Sequence, residues 1–399
     1  MNPRDLSEIR RRLNPERRNP TVLRGCYVSY AGEVISAFAQ PVFHLPAEEN
    51  EKYMALFKRA LSGTPGQNLQ EIDFSAAQVL DGEEHKLLSA LRESGLTDEE
   101  AVSAFYERVI AYIRATSSAD AQSVTEQQNA SNYLILLLHD GYDISYRNQN
   151  GETDAEQSTD VFSYILCCVC PVKQTKPALA YFTSDSEFHS SLADWVVSMP
   201  ELGFLFPAYE EHSANIYRAL YYTRDASNLH EEFLENVFGS GEDEKPMPAP
   251  QQQETFQNVL QEALEEECSL DVIQAVHETV RTRLEEQKAD KTAEPLRLTS
   301  TDVKEVLESC GVSMERAEAF RDRYADAFGA YTEIPAVNVV APKQFKVTTP
   351  SVSIQVDPER SDLIETRVID GRPYILVLAD GDVEVNGVNV KFASKTESN

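Results

Sequence analysis

Residues 132–138 read NYLILLL and residues 161–172 read VFSYILCCVCPV, two continuous apolar runs of strand length. The stretch RNQNGETDAEQSTD at 147–160 separates them and has the polar composition of a loop. Continuous apolar runs that are bounded by polar segments are typical of strands in the interior of a sheet. The two runs therefore predict central strands of one sheet that is covered on at least one face.

Further strands are predicted on both sides of this pair. Cys26–Tyr30 and Val34–Gln40 are β-rich runs with Ala31–Gly32 between them, which predicts a hairpin. Phe204–Tyr209 and Ile216–Tyr222 have the composition of two more strands. We therefore expect an α+β fold whose N-terminal sheet holds about six strands, mostly antiparallel because of the connection lengths.

Helices are predicted from apolar spacing and from their first residues. Pro46 suits the first turn of a helix, and the apolar residues after it recur at helical spacing. Thr97 and Glu100 form the pattern of a capping box at the start of a second helix. The stretch Ala115–Ala130 is polar and poor in aromatic residues, so it is predicted to be a loop.

The segment GSGEDEKPMPAPQQQ marks the clearest domain boundary, because it is rich in Pro, Gly and Gln and lacks apolar periodicity. In the C-terminal part, Asp370–Gly371 and Asn386–Gly387 are strong signals for hairpin turns. The predicted organisation is an α+β sheet domain at 1–238, a linker at 239–253, a helical section at 254–332, a small β module at 333–393 and a tail at 394–399.

Charge and cysteine content narrow the function classes. The chain carries 66 acidic and 36 basic residues, a formal net charge of −30, so nucleic acid is not expected to wrap over its whole surface. The first twenty residues contain no apolar core of a signal peptide, and the apolar runs are shorter than the ~20 residues of a membrane span. The six cysteines do not form a disulfide framework. We therefore expect a cytoplasmic protein without membrane contact.

The N-terminal segment departs from this acidic character. Residues 1–24 contain seven arginines and three acidic residues, so the segment has a charge of +4. One interpretation is a solvated helix that caps the acidic body through ion pairs. The other is a contact with nucleic acid or another anionic partner, for which the candidate residues are Arg10, Arg11, Arg12, Arg17, Arg18 and Arg24.

Three other groups are weaker candidates for sites. Cys167, Cys168 and Cys170 crowd one strand, but a structural zinc site needs a second pair of ligands that the sequence lacks. His139 ends an apolar strand and could form a Cys–His nucleophile with a cysteine of the next strand, although no third orienting group is found. The aromatic stretch Trp195–Pro207 is interpreted as core and a turn, or as a groove for a protein partner. We predict no catalytic residue, cofactor or metal site, and we do not favour an enzyme.

Several segments together resemble a known bacterial family. They are NPERRN near the start, GCYV at 25–28, LSGTPGQNL at 61–69, NYLILLLHDGYD at 132–143, SYILCCVCPV at 163–172, DWVVSMPELGFLFPAY at 194–209, LYYTRDASNLHEEF at 220–233 and PERSDLIETRVIDGRPYI at 358–375. On these segments the chain resembles the family catalogued as domain of unknown function 4317, over nearly its whole length. The resemblance implies no established activity.

A more distant resemblance concerns the order of the elements. A sheet domain is followed by ALYYTRDASNLHEEFLENVFG at 219–239, by helices, and by the tail KQFKVTTPSVSIQVDPERSDLIETRVI at 343–369. This layout resembles the large nucleoid-associated protein family of bacteria, which implies association with the nucleoid or with nucleic-acid machinery and no enzymatic chemistry.

We therefore expect a non-enzymatic cytoplasmic binding protein that contacts nucleic acid, or nucleoid proteins, through a local basic surface. One alternative is a protein-interaction or scaffold module. Another is a hydrolase or redox enzyme that uses His139 and the cysteine cluster.

Overall fold

The computed structural model describes residues 1–14, 22–120, 131–144, 160–182, 184, 186–190, 194–210, 213–241, 245–290, 293–340, 344–385 and 387–391. The chain divides into two compact units. Unit 1 comprises Met1–Gln251 and Asp290–Pro295, and unit 2 comprises Gln252–Ala289 and Leu296–Asn399. Within the described ranges, no helix has both the length and the apolar character that a membrane span requires.

Unit 1 is built from one large sheet, its helices and two short hairpins. The helices are α1 Pro3–Arg12, α2 Ala47–Ala60, α3 Ala76–Asp81, α4 Glu83–Glu93, α5 Glu99–Asp120 and α6 Glu231–Phe238. The strands are β1 Val22–Val28, β2 Val34–Pro41, β3 Leu69–Asp73, β4 Asn132–Ile144, β5 Asp160–Gln174, β6 Leu179–Phe182, β7 Glu187–Ser190, β8 Trp195–Val197, β9 Leu202–Phe206, β10 Ala208–Glu210, β11 Ser213–Asn215 and β12 Arg218–Thr223.

The large sheet has the strand order β2-β1-β4-β5-β9-β12-β3, and β8 also pairs with β5. Every one of these pairs is antiparallel. The prediction that the two apolar runs are central strands is confirmed, because β4 and β5 lie in the middle and pair from Asn132–Val172 to Ile144–Asp160. The described sheet has eight strands rather than about six, since β3 and β8 are short and lacked a clear strand signal.

Helices cover the sheet on both faces. The face that carries Ile135, Leu137 and Cys167 packs against α4, α5 and α6. The opposite face, with Leu136 and Cys168, packs against α1 and α2. Neighbouring residues of a strand point to opposite faces, so a strand that is buried on both sides contains no polar alternation. This explains why the central runs are apolar throughout.

Two predictions about the helix α5 are wrong in detail. Asp98, rather than Thr97, caps its start, because Asp98 Oδ1 accepts from the backbone N–H groups of Glu100 at 3.0 Å and Ala101 at 3.2 Å. The Thr97 hydroxyl instead donates to the carbonyl of Ser94. The helix also continues to Asp120, so residues 115–120 are helical and not a loop; residues 121–130 lie outside the described residues.

Unit 2 combines helices with small antiparallel strand pairs, as predicted. Its helices are α7 Ala249–Leu264, α8 Leu270–Ala289, α9 Ser300–Ser309, α10 Met314–Phe328 and α11 Ala336–Val339. Its strands are β13 Arg297–Leu298, β14 Ile334–Pro335, β15 Phe345–Thr348, β16 Ser353–Val356, β17 Ile364–Ile369, β18 Arg372–Val377, β19 Val383–Val385 and β20 Val388–Val390. The helix α7 begins at Ala249, inside the segment predicted as a linker.

The hairpin between β17 and β18 confirms the Asp370–Gly371 turn. Both residues have positive φ values, 53° and 75°, which a tight two-residue hairpin turn requires. The strands β19 and β20 also pair, with Gly387 at φ 83° between them. Asn386 lies outside the described residues.

Candidate functional site

A polar cavity of about 300 Å³ lies at one end of the large sheet in unit 1. The antiparallel register explains its position. Asn132 at the start of β4 pairs with Val172 near the end of β5, and Leu202 at the start of β9 pairs with Thr223 at the end of β12. The cavity therefore collects residues from strand ends that are far apart in the sequence. Its charged and aromatic lining includes Tyr133, Lys173, Glu201, Arg224, Asp225 and His230.

The loop between β12 and α6 is held by its own hydrogen bonds. Asp225 Oδ1 accepts from the backbone N–H of Ser227 at 2.9 Å and from its hydroxyl at 2.6 Å. Asn228 Oδ1 accepts from the backbone N–H of His230 at 3.0 Å, and the Thr223 hydroxyl lies 2.8 Å from the Asn228 carbonyl. These contacts position the cavity wall without a ligand. The two bonds from Ser227 also hold the pKa of Asp225 below its usual value, so this carboxylate is ionised.

His230 has three unusual properties at this wall. It adopts the left-handed conformation, with φ 50° and ψ 59°, which is strained for a residue other than glycine. Its side chain is buried, and burial lowers its pKa to about 4, so the imidazole is neutral at pH 7. Nδ1 lies 2.7 Å from the hydroxyl of Tyr112 on α5, whereas Nε2 has no hydrogen-bond partner among the described residues.

Two cations line the same cavity. Lys173 is exposed and has no ion-pair partner in the part of the chain that the structure describes. Arg224 donates from Nη2 to the Met199 carbonyl at 2.7 Å and from Nε to the Pro200 carbonyl at 3.2 Å, which orients its guanidinium group. The bonds to neutral carbonyls leave its positive charge available to a ligand.

The lining combines hydrogen-bond donors, cations and carboxylates. It also includes a residue with a buried nitrogen that lacks a hydrogen-bond partner in the described structure, which has a free-energy cost. An unsatisfied buried polar group costs about 1–3 kcal/mol, so most are paired in folded proteins. A strained backbone residue with an unpaired nitrogen at the wall of a polar cavity is typical of a binding site. The arrangement can hold a small molecule through an oxygen that accepts hydrogen bonds.

The predicted arginine surface is only partly available. Arg10 and Arg11, in the last turn of α1, are exposed and have no ion pair within the described ranges. Arg12 lies 3.4 Å from the Glu8 carboxylate one turn earlier in the same helix. Arg17 and Arg18 lie outside the described residues.

Arg24 does not belong to an open surface. It lies in β1 and is 9% exposed, and its two terminal nitrogens donate to Glu99 at 2.8 and 2.6 Å. This bidentate pair leaves the guanidinium group facing a carboxylate, and a phosphate would have to displace Glu99 to reach it. We therefore do not include Arg24 in any anion-binding surface.

The cysteine cluster and His139 do not form a pair. Cys167 lies on one face of the sheet and Cys168 and Cys170 on the other, as alternation predicted, and burial raises the pKa of all three thiols. His139 Nε2 instead lies 2.9 Å from the Ser163 hydroxyl. Among the described residues, no group of three or more His, Cys, Asp or Glu side chains is arranged to hold a metal ion.

The aromatic stretch Trp195–Pro207 divides into two parts. Every residue of β9 is buried in the core, as the first interpretation predicted. The residues of β8 are exposed, with Trp195 at 49% and Val196 at 49%. The binding of a protein partner at this stretch stays a prediction.

The patterns in the sequence do not predict this cavity, although most of the segments that build it are among those that resemble the family. The segment LYYTRDASNLHEEF contains Arg224, Asp225 and His230, and DWVVSMPELGFLFPAY contains Glu201. A polar loop between a buried strand and an amphipathic helix was the available signal. This signal alone does not predict a site, because nothing in the sequence shows that these loops meet.

A family model described as a domain of unknown function, DUF4317, matches residues 1–388. No curated protein matches the chain. The likeness to nucleoid-associated proteins stays a prediction.

Proposed function

The chain belongs to the DUF4317 family of domains of unknown function, and from this premise we propose that it is a non-enzymatic binding protein. Its unit 1 takes a small molecule that carries a phosphate or carboxylate group into the cavity at the end of the sheet. The ligand's anionic oxygens meet Lys173, Arg224 and His230. Glu201 and Asp225 on the same wall favour a ligand whose remaining groups donate hydrogen bonds rather than carry further negative charge.

One observation carries this proposal. His230 Nε2 is buried without a hydrogen-bond partner in the described structure, on a wall that also presents two cations. Nε2 has almost no solvent-accessible surface, so a ligand oxygen reaches it only when side chains of the lining shift on binding; the contact would then satisfy the nitrogen, and Lys173 and Arg224 would attract the ligand. Binding rather than catalysis is supported by the low pKa of His230, about 4, since a histidine this weakly basic is a poor general base at neutral pH.

Titration with inorganic phosphate, followed by calorimetry and by backbone amide NMR shifts, tests the proposal. We expect shifts at Lys173, Arg224 and His230, and binding weaker by about tenfold or more in Lys173→Ala, because hydrogen bonds to charged groups contribute roughly 1.5–3 kcal/mol and about 1.4 kcal/mol is a factor of ten. Lys176→Ala is the matched control, since Lys176 is exposed in the same segment but does not line the cavity. Acetate in place of phosphate separates carboxylate from phosphate ligands.

Equal affinities of the two variants, or no shifts at the cavity with either anion, would refute the proposed function. In that event the cavity holds solvent only.

A contact with nucleic acid through α1 is a second candidate function. The observation that favours it is the pair Arg10 and Arg11, which are exposed and have no ion pair in the described chain. Binding of a mixed-sequence DNA duplex should weaken as salt rises, and replacing both arginines by alanine should reduce the slope of log affinity against log salt by about 2.

The matched control replaces two other exposed cations, Arg372 and Lys391, by alanine. This variant has the same net charge as the first. If both double variants lose the same affinity, the interaction follows net charge and the N-terminal helix has no special part in it. If the duplex does not bind even at low salt, this second function is excluded.

A further inference from the structure

The contact between Tyr112 and His230 determines what the cavity offers to a ligand. Tyr112 Oη and His230 Nδ1 are 2.7 Å apart, and both residues are buried. Either the phenol donates to Nδ1, or Nδ1 carries the hydrogen and donates to the phenol oxygen. The two cases give the other ring nitrogen, Nε2, opposite hydrogen-bonding roles. In the first case Nε2 is an N–H donor, and in the second it is an acceptor.

The surroundings of Tyr112 select the first case. Burial raises the pKa of Tyr112 above its usual value, so the phenol keeps its hydrogen. His230 Nδ1, at 2.7 Å, is a ring nitrogen that can accept this hydrogen, and the neighbouring Thr116 hydroxyl is oriented by donating its own hydrogen to the Tyr112 carbonyl at 2.6 Å. If Nδ1 carried the hydrogen, both Nδ1–H and the phenol O–H would be donors in the same 2.7 Å contact. The buried phenol hydrogen would then need another acceptor. A buried hydrogen-bond donor without an acceptor costs more free energy than a buried oxygen that uses only one of its two lone pairs.

We infer that Tyr112 is a positioning residue that holds His230 as the tautomer with hydrogen on Nε2, so that this lining residue keeps a buried N–H donor for an anionic oxygen that enters with a shift of the surrounding side chains. This inference rests on the proposed function and makes its ligand more specific. The group that enters is a hydrogen-bond acceptor, such as a phosphate or carboxylate oxygen. An ammonium group would leave the N–H unpaired and would face Lys173 and Arg224.

The tautomer is measured directly by long-range proton–nitrogen NMR of protein with nitrogen-15 in its histidine rings. The nitrogen shifts of His230 show which ring nitrogen carries the hydrogen, with and without inorganic phosphate. We expect the hydrogen on Nε2 in the free protein, and a shift of the Nε2 signal when phosphate binds.

Two pairs of variants test the part played by each side chain. Tyr112→Phe should move the Nδ1 signal and weaken phosphate binding by about two- to tenfold, the range for loss of one neutral hydrogen bond. Tyr106→Phe is its control, because Tyr106 lies buried on the same helix and its hydroxyl has no hydrogen-bond partner among the described residues. His230→Gln retains an N–H donor and should retain phosphate affinity. His230→Asn tolerates the left-handed backbone but is too short to place a donor there, so it should lose about tenfold or more.

The outcomes separate this inference from the proposed function. A hydrogen on Nδ1 in the free protein overturns the inference, whether or not phosphate binds. Phosphate binding at Lys173 and Arg224 with no change at Nε2 also overturns it, and leaves standing only the part of the proposed function that concerns these two cations. A hydrogen on Nε2 without any anion binding supports the assigned tautomer and refutes the proposed function.

Discussion

Buried polar side chains in unit 1 differ in how completely they are paired. Asp140 is 6% exposed and accepts from the Tyr164 hydroxyl at 3.0 Å and from the Gly141 N–H at 2.9 Å. Arg24 is paired through both terminal nitrogens with Glu99. His230 keeps one ring nitrogen without a partner in the described structure, and it does so on a cavity wall. Arg24 Nε and the Tyr106 hydroxyl also lack a partner among the described residues, so the place of His230 in the cavity lining, and not an unpaired atom alone, marks it as a candidate binding group.

The low pKa of His230 predicts a pH dependence of stability. Burial is the main cause, the positive charge of Arg224 adds to it, and Asp225 opposes it. Between about pH 6.5, the usual value for histidine, and pH 4, the unfolded chain binds a proton at this ring and the folded protein does not. Acidification through this window therefore favours the unfolded state. On going from pH 7 to pH 4.5, His230 should account for a loss on the order of 2 kcal/mol in the free energy of unfolding.

Urea denaturation of the wild type and of His230→Asn at the two pH values isolates this contribution, because the carboxylates titrate in both proteins. The loss in the free energy of unfolding between the two pH values should be smaller in His230→Asn than in the wild type by about 2 kcal/mol. Equal losses in the two proteins would mean that His230 is protonated in the folded state near its usual pKa.

At the scale of elements, periodicity predicted which segments form helices and strands, while individual hydrogen bonds decided where they end. The apolar positions of α5 required a helix, but Asp98 and not Thr97 caps it. The same helix continues to Asp120 through residues whose composition predicted a loop. Composition is a weak guide at helix ends, since tertiary packing of the preceding turns extends a helix beyond its own propensity.

The cap of α5 can be tested with two neighbouring substitutions. Asp98→Ala removes the acceptor of two backbone N–H groups and should lower the free energy of unfolding by about 1 kcal/mol, in the range of 0.5–2 for a lost N-cap. Thr97→Ala should change it by less than about 0.5 kcal/mol, because the residue is exposed and does not cap the helix. Chemical denaturation measures both, and a larger effect at Thr97 would restore the capping box predicted from sequence.

At the scale of the whole molecule, the dominant property is the net charge of −30. Like charges on a folded surface repel one another and favour the expanded chain. The exposed cations of α1 and of the cavity make the electrostatic potential locally more positive than the net charge alone would. A small anion must therefore reach the cavity against a long-range repulsion that salt weakens.

This charge predicts a stability that increases with ionic strength. Raising potassium chloride from about 10 mM to about 150 mM shortens the screening length from roughly 30 to 8 Å and should raise the melting temperature by a few degrees. Surface ion pairs oppose this trend, but each contributes little. Differential scanning calorimetry at constant pH measures the change. A melting temperature that falls with salt would show that the ion pairs outweigh the repulsion.

The sequence by itself determined the class of the fold and most of its elements. The unbroken apolar runs at β4 and β5 predicted central strands of a sheet covered on at least one face, and the Asp370–Gly371 pair predicted a tight turn, so both were readable from local chemistry. The segments that resemble the DUF4317 family were also readable from the sequence, and the match over residues 1–388 confirms the family.

The candidate site was decided by the tertiary structure alone. Tyr133, Lys173, Glu201, Arg224 and His230 are spread over almost a hundred residues, and only the antiparallel register of β4, β5, β9 and β12 brings their strand ends together. The loss of Arg24 from the predicted basic surface has the same origin, because its partner Glu99 is 75 positions away. Local patterns encode the elements, whereas a cavity and a buried ion pair depend on contacts between residues that are distant in the chain.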